Sequence, residues 1–521
     1  MLGRVRENRS EVVHHLRRIM AACSATAVVG LGGFLFGYDI GIISGVLVMP
    51  SFLATFPQVA ADEWVKGFVV TSFLVGGALG STASSWLSEA GGRRTSLQVG
   101  AALFLCGGLA QALSSTLSLL FISRWVSGLG IGLTAATVPV YSSELAPASR
   151  RGMMISFNQY NITGGIMVSF WANLWLKGIT GDPSVTEWQW TGWRIAMLLQ
   201  CVPAGLLLLA SMWLPRSPRW LVQQDRVPEA LEALRRLRCH DAEDELRQIC
   251  ADNDASPGVS PWVDFVFDAA SRRRLLCGMI LQTGQMCSGI DSIMFFGPAI
   301  FAQAAPHVKN ADLMAQGIAG VVNFASTFVA VCLLDRVGRR PLLACGAAIQ
   351  AVCMVILATV GLLYAHIETS SGSGSTTSSA AGLGDDLVIE HHVAGVVCIL
   401  SIYIFVSAFA WSWGPVVWAL CTEIFPTHQR ARGVAITTTT NWIWNIAVGQ
   451  LYPVAQAALG FRIFFVFGAA SAALVWWTMY HAPETKGLSI DQVQLLFEND
   501  GGGGEPVERR RDADRRRPLL Q

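Results

Sequence analysis

The sequence predicts an all-α membrane protein of twelve transmembrane helices in two pseudo-symmetric six-helix bundles. Three observations carry that expectation. The 521 residues are 52% hydrophobic and only 14% charged, whereas soluble domains carry about a quarter charged residues. Twelve apolar runs follow one another, each near the length a bilayer demands. Polar markers recur at matched places in the two halves. The net charge of +1 excludes a bulk polyelectrolyte role, and no nucleic-acid partner is expected.

Residues 1–18 are polar and basic and are expected to form a cytoplasmic N-terminal segment. The apolar runs then lie near 19–49, 64–87, 95–113, 118–140, 152–176 and 192–214, giving a first bundle over 19–214. The first run is too long for a signal-peptide core and no small-residue cleavage pattern follows it, so a retained helix is expected. A polar segment, 215–273, comes next. Pro228 opens an amphipathic stretch there, with Glu232 and Arg236, and Glu243 and Arg247, four apart. Short helices on the cytoplasmic surface fit this pattern. Runs near 274–303, 312–334, 341–366, 392–421, 432–456 and 460–480 give the second bundle over 274–480, and 481–521 a cytoplasmic tail. Ser- and Gly-rich residues 370–384 read as a flexible outside loop.

With the N-terminus inside, 31 of the 37 Lys and Arg fall in inside segments. That asymmetry places both termini in the cytoplasm. The twelve cysteines show neither C-x-x-C pairs nor metal-ligand spacing, so no metal or cofactor is expected, and none falls in an expected outside loop, so no structural disulfide is expected. Gly128-x-Gly130-x-Gly132 lies inside an apolar run without a preceding strand, which favours close helix packing over nucleotide binding.

Two ions stand at membrane depth: Asp39, in the glycine-rich stretch Gly32 to Gly41, and Arg124, in the fourth run. An ionisable group there costs several kcal/mol unless paired or hydrated. Either a structural salt bridge or a proton site on a transport path accounts for the pair. When ionised, Asp39 is expected to draw the first and fourth runs together through Arg124, and protonation to release them.

The markers of the repeat are specific. Gly92-Arg93-Arg94 follows the second run and Gly338-Arg339-Arg340 the eighth. Glu144 with Arg151 follows the fourth, and Glu423 with Arg430 follows the tenth at equal spacing. Pro215-Arg216-Ser217-Pro218-Arg219 follows the sixth and Pro483-Glu484-Thr485-Lys486-Gly487 the twelfth. From Gly32 to Gly487 these residues resemble the sugar porter family of the major facilitator superfamily. The stretch Ala410-Trp411-Ser412-Trp413-Gly414-Pro415, and the acid in Phe36-Gly37-Tyr38-Asp39, look most like proton-coupled hexose symporters of plants and fungi.

The resemblance implies the major facilitator fold and alternating access. It implies proton coupling by Asp39 and Arg124. It implies a sugar site of Gln159, Gln282, Gln285, Asp291, Asn323, Trp418 and Asn441. Amides suit that task because they both donate and accept hydrogen bonds without a buried charge. It implies a cytoplasmic gate of Glu89, Arg93, Arg94, Glu144 and Arg151 in the first bundle, with Arg336, Arg339, Arg340, Glu423 and Arg430 in the second. Three departures stand out. Ala90 replaces the family's Arg after the acid, Arg216 replaces a Glu, and Met286 and Asp291 replace an amide and an asparagine. The first cluster is therefore expected to be the weaker one, with Glu423 mattering more than Glu89.

The function expected is proton-coupled symport of a monosaccharide, a hexose, against three rivals. These are a facilitative uniporter, a proton-coupled polyol or cyclic-acid transporter, and a non-transporting sugar receptor. A receptor is expected to carry a long signalling tail. No enzymatic motif is present: no P-loop, H-E-x-x-H or nucleophile elbow. The bilayer, the sugar and protons are the expected partners of a monomer, with the plasma membrane as its site.

Overall fold

The protein is described from a computed structural model, over residues 28–145, 151–180, 192–237, 242–254, 262–304, 311–367, 387–389, 391–426, 428–488 and 490–498. The expected N-terminal segment, the 370–384 loop and the tail beyond residue 498 lie outside the described residues.

The long helices are α1 (Val28–Val46), α2 (Glu63–Ala90), α3 (Arg93–Ala112), α4 (Leu117–Leu145), α5 (Arg151–Thr180) and α6 (Gly192–Ser211). They continue with α7 in two parts (Ala269–Cys287 and Ile290–Ala304), α8 (Ala311–Val337), α9 (Arg339–Tyr364), α10 (His392–Glu423), α11 (Arg430–Leu459) and α12 (Ile463–His481). A helix closes all its backbone hydrogen bonds within itself, which is what a segment without water requires. Leu113, Ile122, Trp175, Leu363 and Tyr480 are exposed, while Asp39, Arg124, Gln282 and Asn441 are buried. Apolar outside and polar inside is the distribution of a chain surrounded by lipid.

In the first half α2, α3 and α4 pack together and α3 meets α6; in the second α9 packs on α10 and α12. Across the halves α2 lies along α11 and α5 along α8. Adding six to each number exchanges these two contacts, so the interface repeats with the fold. The loops repeat too. Gly92 and Gly338 both sit at positive φ, +85° and +107°, and each precedes the arginine that opens the next helix. Arg93 then bonds the Ser88 carbonyl and Glu144, as Arg339 bonds the Leu334 carbonyl and Glu423.

Bare backbone sets the closest approaches. A Cβ on Gly37 would lie 1.8 Å from the Ile162 carbonyl oxygen, and one on Gly128 2.0 Å from that of Phe73. Thus α1 seats against α5 and α4 against α2. The Gly128–Gly132 motif serves close packing.

Three expected spans are not continuous; the run 192–214 divides at Gln200, whose φ and ψ stay in the right-handed helical region. The run 274–303 breaks at Gly289, whose φ of +90° lies in the left-handed region; a Cβ there would also strike Phe467 at 2.7 Å. The run 392–421 is interrupted at Ser412, with φ −122° and ψ −91°. Its hydroxyl donates to the Ala408 carbonyl at 2.5 Å.

Between the halves lie short helices, Pro218–Gln223, Val227–Leu237 and Ala242–Asp254. They share a small apolar core around Trp220, Leu221 and Leu234. Arg236 pairs with Glu232 at 2.5 Å. The expected Glu243–Arg247 pair is replaced: Glu243 meets Arg235 at 2.8 Å and Arg247 meets Asp244 at 3.3 Å. An antiparallel ladder, Ala365–Ile367 with Leu387–Ile389, was not foreseen.

Candidate functional site

The buried acid and the buried arginine meet. Asp39 on α1 and Arg124 on α4 are each 1% exposed, with Arg124 Nη2 3.3 Å from Asp39 Oδ2. Asp39 Oδ1 has no hydrogen-bond partner among the described residues. Arg124 has others. Its Nε donates to the Val69 carbonyl of α2 at 2.6 Å, and its Nη1 reaches Gln111 Oε1 of α3 at 3.4 Å. The guanidinium also lies over the Phe73 ring, 5.1 Å from its centre. Gln111 is itself steadied by donating to Ser127 Oγ. The arginine is therefore anchored by neutral groups on two helices, and the acid is the partner with spare bonding capacity. Sequence reading found the pair but not Gln111, which carries no charge to mark it.

A second constellation lies in the other half. Asn441 Nδ2 donates to Gln282 Oε1 at 2.7 Å and to Gln285 Oε1 at 2.9 Å. Gln285 Nε2 donates to the Trp413 and Gly414 carbonyls beside the interruption in α10. Gln282 and Gln285 share a helical face, three residues apart. Gln159 reaches the same place from α5, for a Cβ on Gly414 would lie 3.3 Å from its Nε2. Four candidate residues thus converge where α5, α7, α10 and α11 meet.

Asp291, Asn323 and Trp418 make no hydrogen bond to that cluster among the described residues. Asp291 stands in the first turn after the α7 break, 5% exposed, with Oδ2 unpartnered among the described residues. Asn323 on α8 also keeps an Oδ1 without a partner among the described residues. Trp418 on α10 lines a small cavity with Gly33, Phe36 and Asn158 of the first half. Asn445 was missed by sequence reading; it donates to Met286 Sδ at 3.4 Å. Its signal was available, four residues after Asn441 on the same helical face. Unpartnered buried atoms such as Asp291 Oδ2, Asn323 Oδ1 and the Tyr452 hydroxyl are costly unless something satisfies them. A polyhydroxylated ligand is chemically suited to do so. Among the described residues no group of three or more His, Cys, Asp or Glu could hold a metal.

The charges at one end of the helices divide differently from expectation. Arg93 pairs with Glu144 at 2.9 Å and Arg339 with Glu423 at 2.8 Å, each within its own half. Glu89 does not join the first cluster. It takes Arg432 of α11 in a two-point contact, 2.9 Å to Nε and 3.0 Å to Nη2. The physical reason is that α2 ends alongside the start of α11. Arg94 turns instead to the Leu214 and Met212 carbonyls. Arg430 bonds the Phe425 carbonyl. Arg336 is exposed, with its carbonyl accepting from Lys486, and Arg340 meets Glu484 through its backbone N–H. The side chain of Arg151 lies outside the described residues. Arg432, Glu484 and Thr485, the last donating to Glu423 at 2.5 Å, extend the charged set.

Two bundles of membrane-length helices, joined by a repeating interface and enclosing a buried ion pair and an amide cluster, define a secondary transporter of the major facilitator type. The chain matches the model of the sugar (and other) transporter family over residues 25–497 and belongs to that family. It is 34% identical over 473 residues to a galactose-proton symporter of Escherichia coli, covering 89% of this chain and 92% of that one. It is 32% identical over 484 residues to an arabinose-proton symporter of the same organism, covering 92% and 93%. Among solved structures it resembles the proton:xylose symporter XylE bound to 6-bromo-6-deoxy-D-glucose. The TM-score is 0.77 at 26% identity, covering 92% of this chain and 100% of that one.

Proposed function

We propose that the protein is a proton-coupled monosaccharide symporter working by alternating access. The observation that carries this reading is the sealed Asp39–Arg124 pair. A mid-membrane carboxylate with one oxygen left unpartnered can take up a proton without losing any other bond. Protonation removes the attraction between α1 and α4, while Arg124 keeps its contacts to Val69, Gln111 and Phe73. The amide cluster and Gln159 are read as the sugar ligands, with Trp418 covering an apolar ring face. The relatives named as proton symporters support the same reading. The Lys and Arg asymmetry supports an orientation with both termini and the charged end in the cytoplasm. The protein is read as a monomer of the plasma membrane, with bundles 19–214 and 274–480 rocking about the midplane.

The test is sugar uptake into vesicles under an imposed pH gradient, beside sugar-for-sugar exchange at equal pH. Asp39→Asn is expected to abolish gradient-driven accumulation and to retain exchange. Undiminished accumulation removes Asp39 from coupling; loss of exchange together with binding returns the pair to a structural salt bridge. Asp291 favours a second reading of the substrate, as a polyol or cyclic acid, because it stands where the resembled family carries an asparagine. Competition by monosaccharides and polyols in the same vesicles separates the two.

A further inference from the structure

A cavity of about 360 Å³ opens at the charged end of the molecule, between the ends of α3 and α6 and the Val227–Leu237 helix. Arg94, Arg216, Glu229, Glu232 and Arg236 line it. The acids are already engaged: Glu229 takes Arg226 through two bonds of 2.7 Å, and Glu232 takes Arg236 at 2.5 Å. Arg94 and Arg216 meet no acid among the described residues. Arg94 donates only to carbonyls. The Arg216 guanidinium lies over the Trp220 ring, 5.3 Å from its centre, and forms no hydrogen bond or ion pair among the described residues. An arginine fork is a strong donor set for a phosphate. The rim of the cavity is apolar and outward facing: Met212 and Trp213, at the end of α6, are 51% and 78% exposed. Tryptophan at the end of a membrane helix sits at headgroup level.

We propose that this cavity binds the phosphate headgroup of an anionic phospholipid, with Arg216 and Arg94 on the phosphate and the acyl chains against Met212 and Trp213. A soluble phosphate would satisfy the arginines equally well. The exposed apolar rim, continuous with the lipid-facing surface of α6, is what favours a lipid. Arg216 stands where the resembled family carries a glutamate, and a carboxylate at that position would repel the same headgroup. The inference depends on the transporter reading only in placing the charged end at a membrane surface.

The test is native mass spectrometry of the full chain in detergent, mixed with phosphatidylglycerol or phosphatidylcholine. The wild type is expected to retain phosphatidylglycerol in preference. Arg216→Gln is expected to lower that retention about tenfold, the worth of one lost charge-assisted contact, and Arg216→Lys to restore part of it. Thermal unfolding checks that Arg216→Gln remains folded; should it not, Trp213→Ala, which removes only the rim, is expected to weaken retention in its place. Equal retention of the two lipids by the wild type overturns the proposal, as does unchanged retention in the variants. Displacement of the lipid by inorganic phosphate or glycerol phosphate at millimolar concentration also overturns it, because the site would then be one for soluble anions. Lipid retention is read without any sugar, so its failure leaves the transport reading intact, and failure of transport leaves this site intact.

Discussion

Glu89→Gln is expected to loosen the closure between the two bundles at the charged end. The pair it breaks, Glu89 with Arg432, joins α2 to α11 through two bonds of 2.9 and 3.0 Å. Two unit charges at about 4 Å in an effective dielectric of about 20 attract by roughly 4 kcal/mol, which is a ceiling. The side chains are 13% and 23% exposed, so water screens part of the attraction and desolvation offsets more. A net contribution of about 1–2 kcal/mol remains for a two-point, partly buried contact. That shifts the balance between closed and open charged ends by a factor of roughly 5–30. The assay is a double-mutant cycle of Glu89→Gln, Arg432→Gln and the pair, read as spin-label distance distributions between the charged ends of α2 and α11. Each single variant is expected to enlarge the long-distance population, and the double to add little to either. Arg432→Gln also loses its contact with the Trp262 ring, 5.3 Å away, so it is expected to be the more severe single. Glu423→Gln breaks a pair inside one bundle and is expected to move the distribution less than Glu89→Gln, the reverse of the order expected from the repeat markers. Unchanged distributions in all three variants, or a coupling below about 0.3 kcal/mol, within the error of simple additivity, refute the reasoning.

Asn441→Ala strands the carbonyl oxygens of both Gln282 and Gln285 and is expected to weaken sugar binding by about 1–3 kcal/mol, measured by calorimetry on purified protein; unchanged affinity removes the amide cluster from the site. Asp268, which caps the first part of α7 by accepting from the Ser271 N–H at 2.8 Å, is held below the ordinary carboxylate range by the Ser271 side chain and then by backbone N–H groups. Its stabilisation is therefore full above the unfolded-state value near 4 and is lost as pH falls through the lower folded value. Asp268→Ala is expected to cost about 0.5–2 kcal/mol of stability at pH 7, a difference that thermal unfolding should find shrinking under strong acid.

Most of the helical plan was legible because a bilayer imposes length and apolarity on each span separately. Asp39 and Arg124 were legible because ions at that depth are rare. The breaks at Gly289 and Ser412 were not, since the runs around them stay apolar and a turn inside such a run leaves its composition unchanged. The Glu89–Arg432 pair was hidden for a different reason. Repeat matching looks for each charge's counterpart in the other half and so assigned Glu89 to its own bundle. Contacts that cross the interface depend on how two helices 343 residues apart come alongside, and no local spacing encodes that. Gln111 and Asn445 were passed over because neutral amides in apolar runs are ordinary, and only their partners distinguish them.

The seating of α1 has a mechanical consequence. On one flank Gly37 leaves it in bare backbone contact with α5, and on the other Asp39 reaches Arg124. The first contact is steric and indifferent to pH; the second is electrostatic and, on the proposed reading, responds to a single proton. Arg124 has its own ties to α2 and α3, which on the same reading hold it when the acid is neutralised. On the proposed reading a proton acts on this helix as a latch pin acts on a door: the contact with α5 is left untouched and the tie to Arg124 is released.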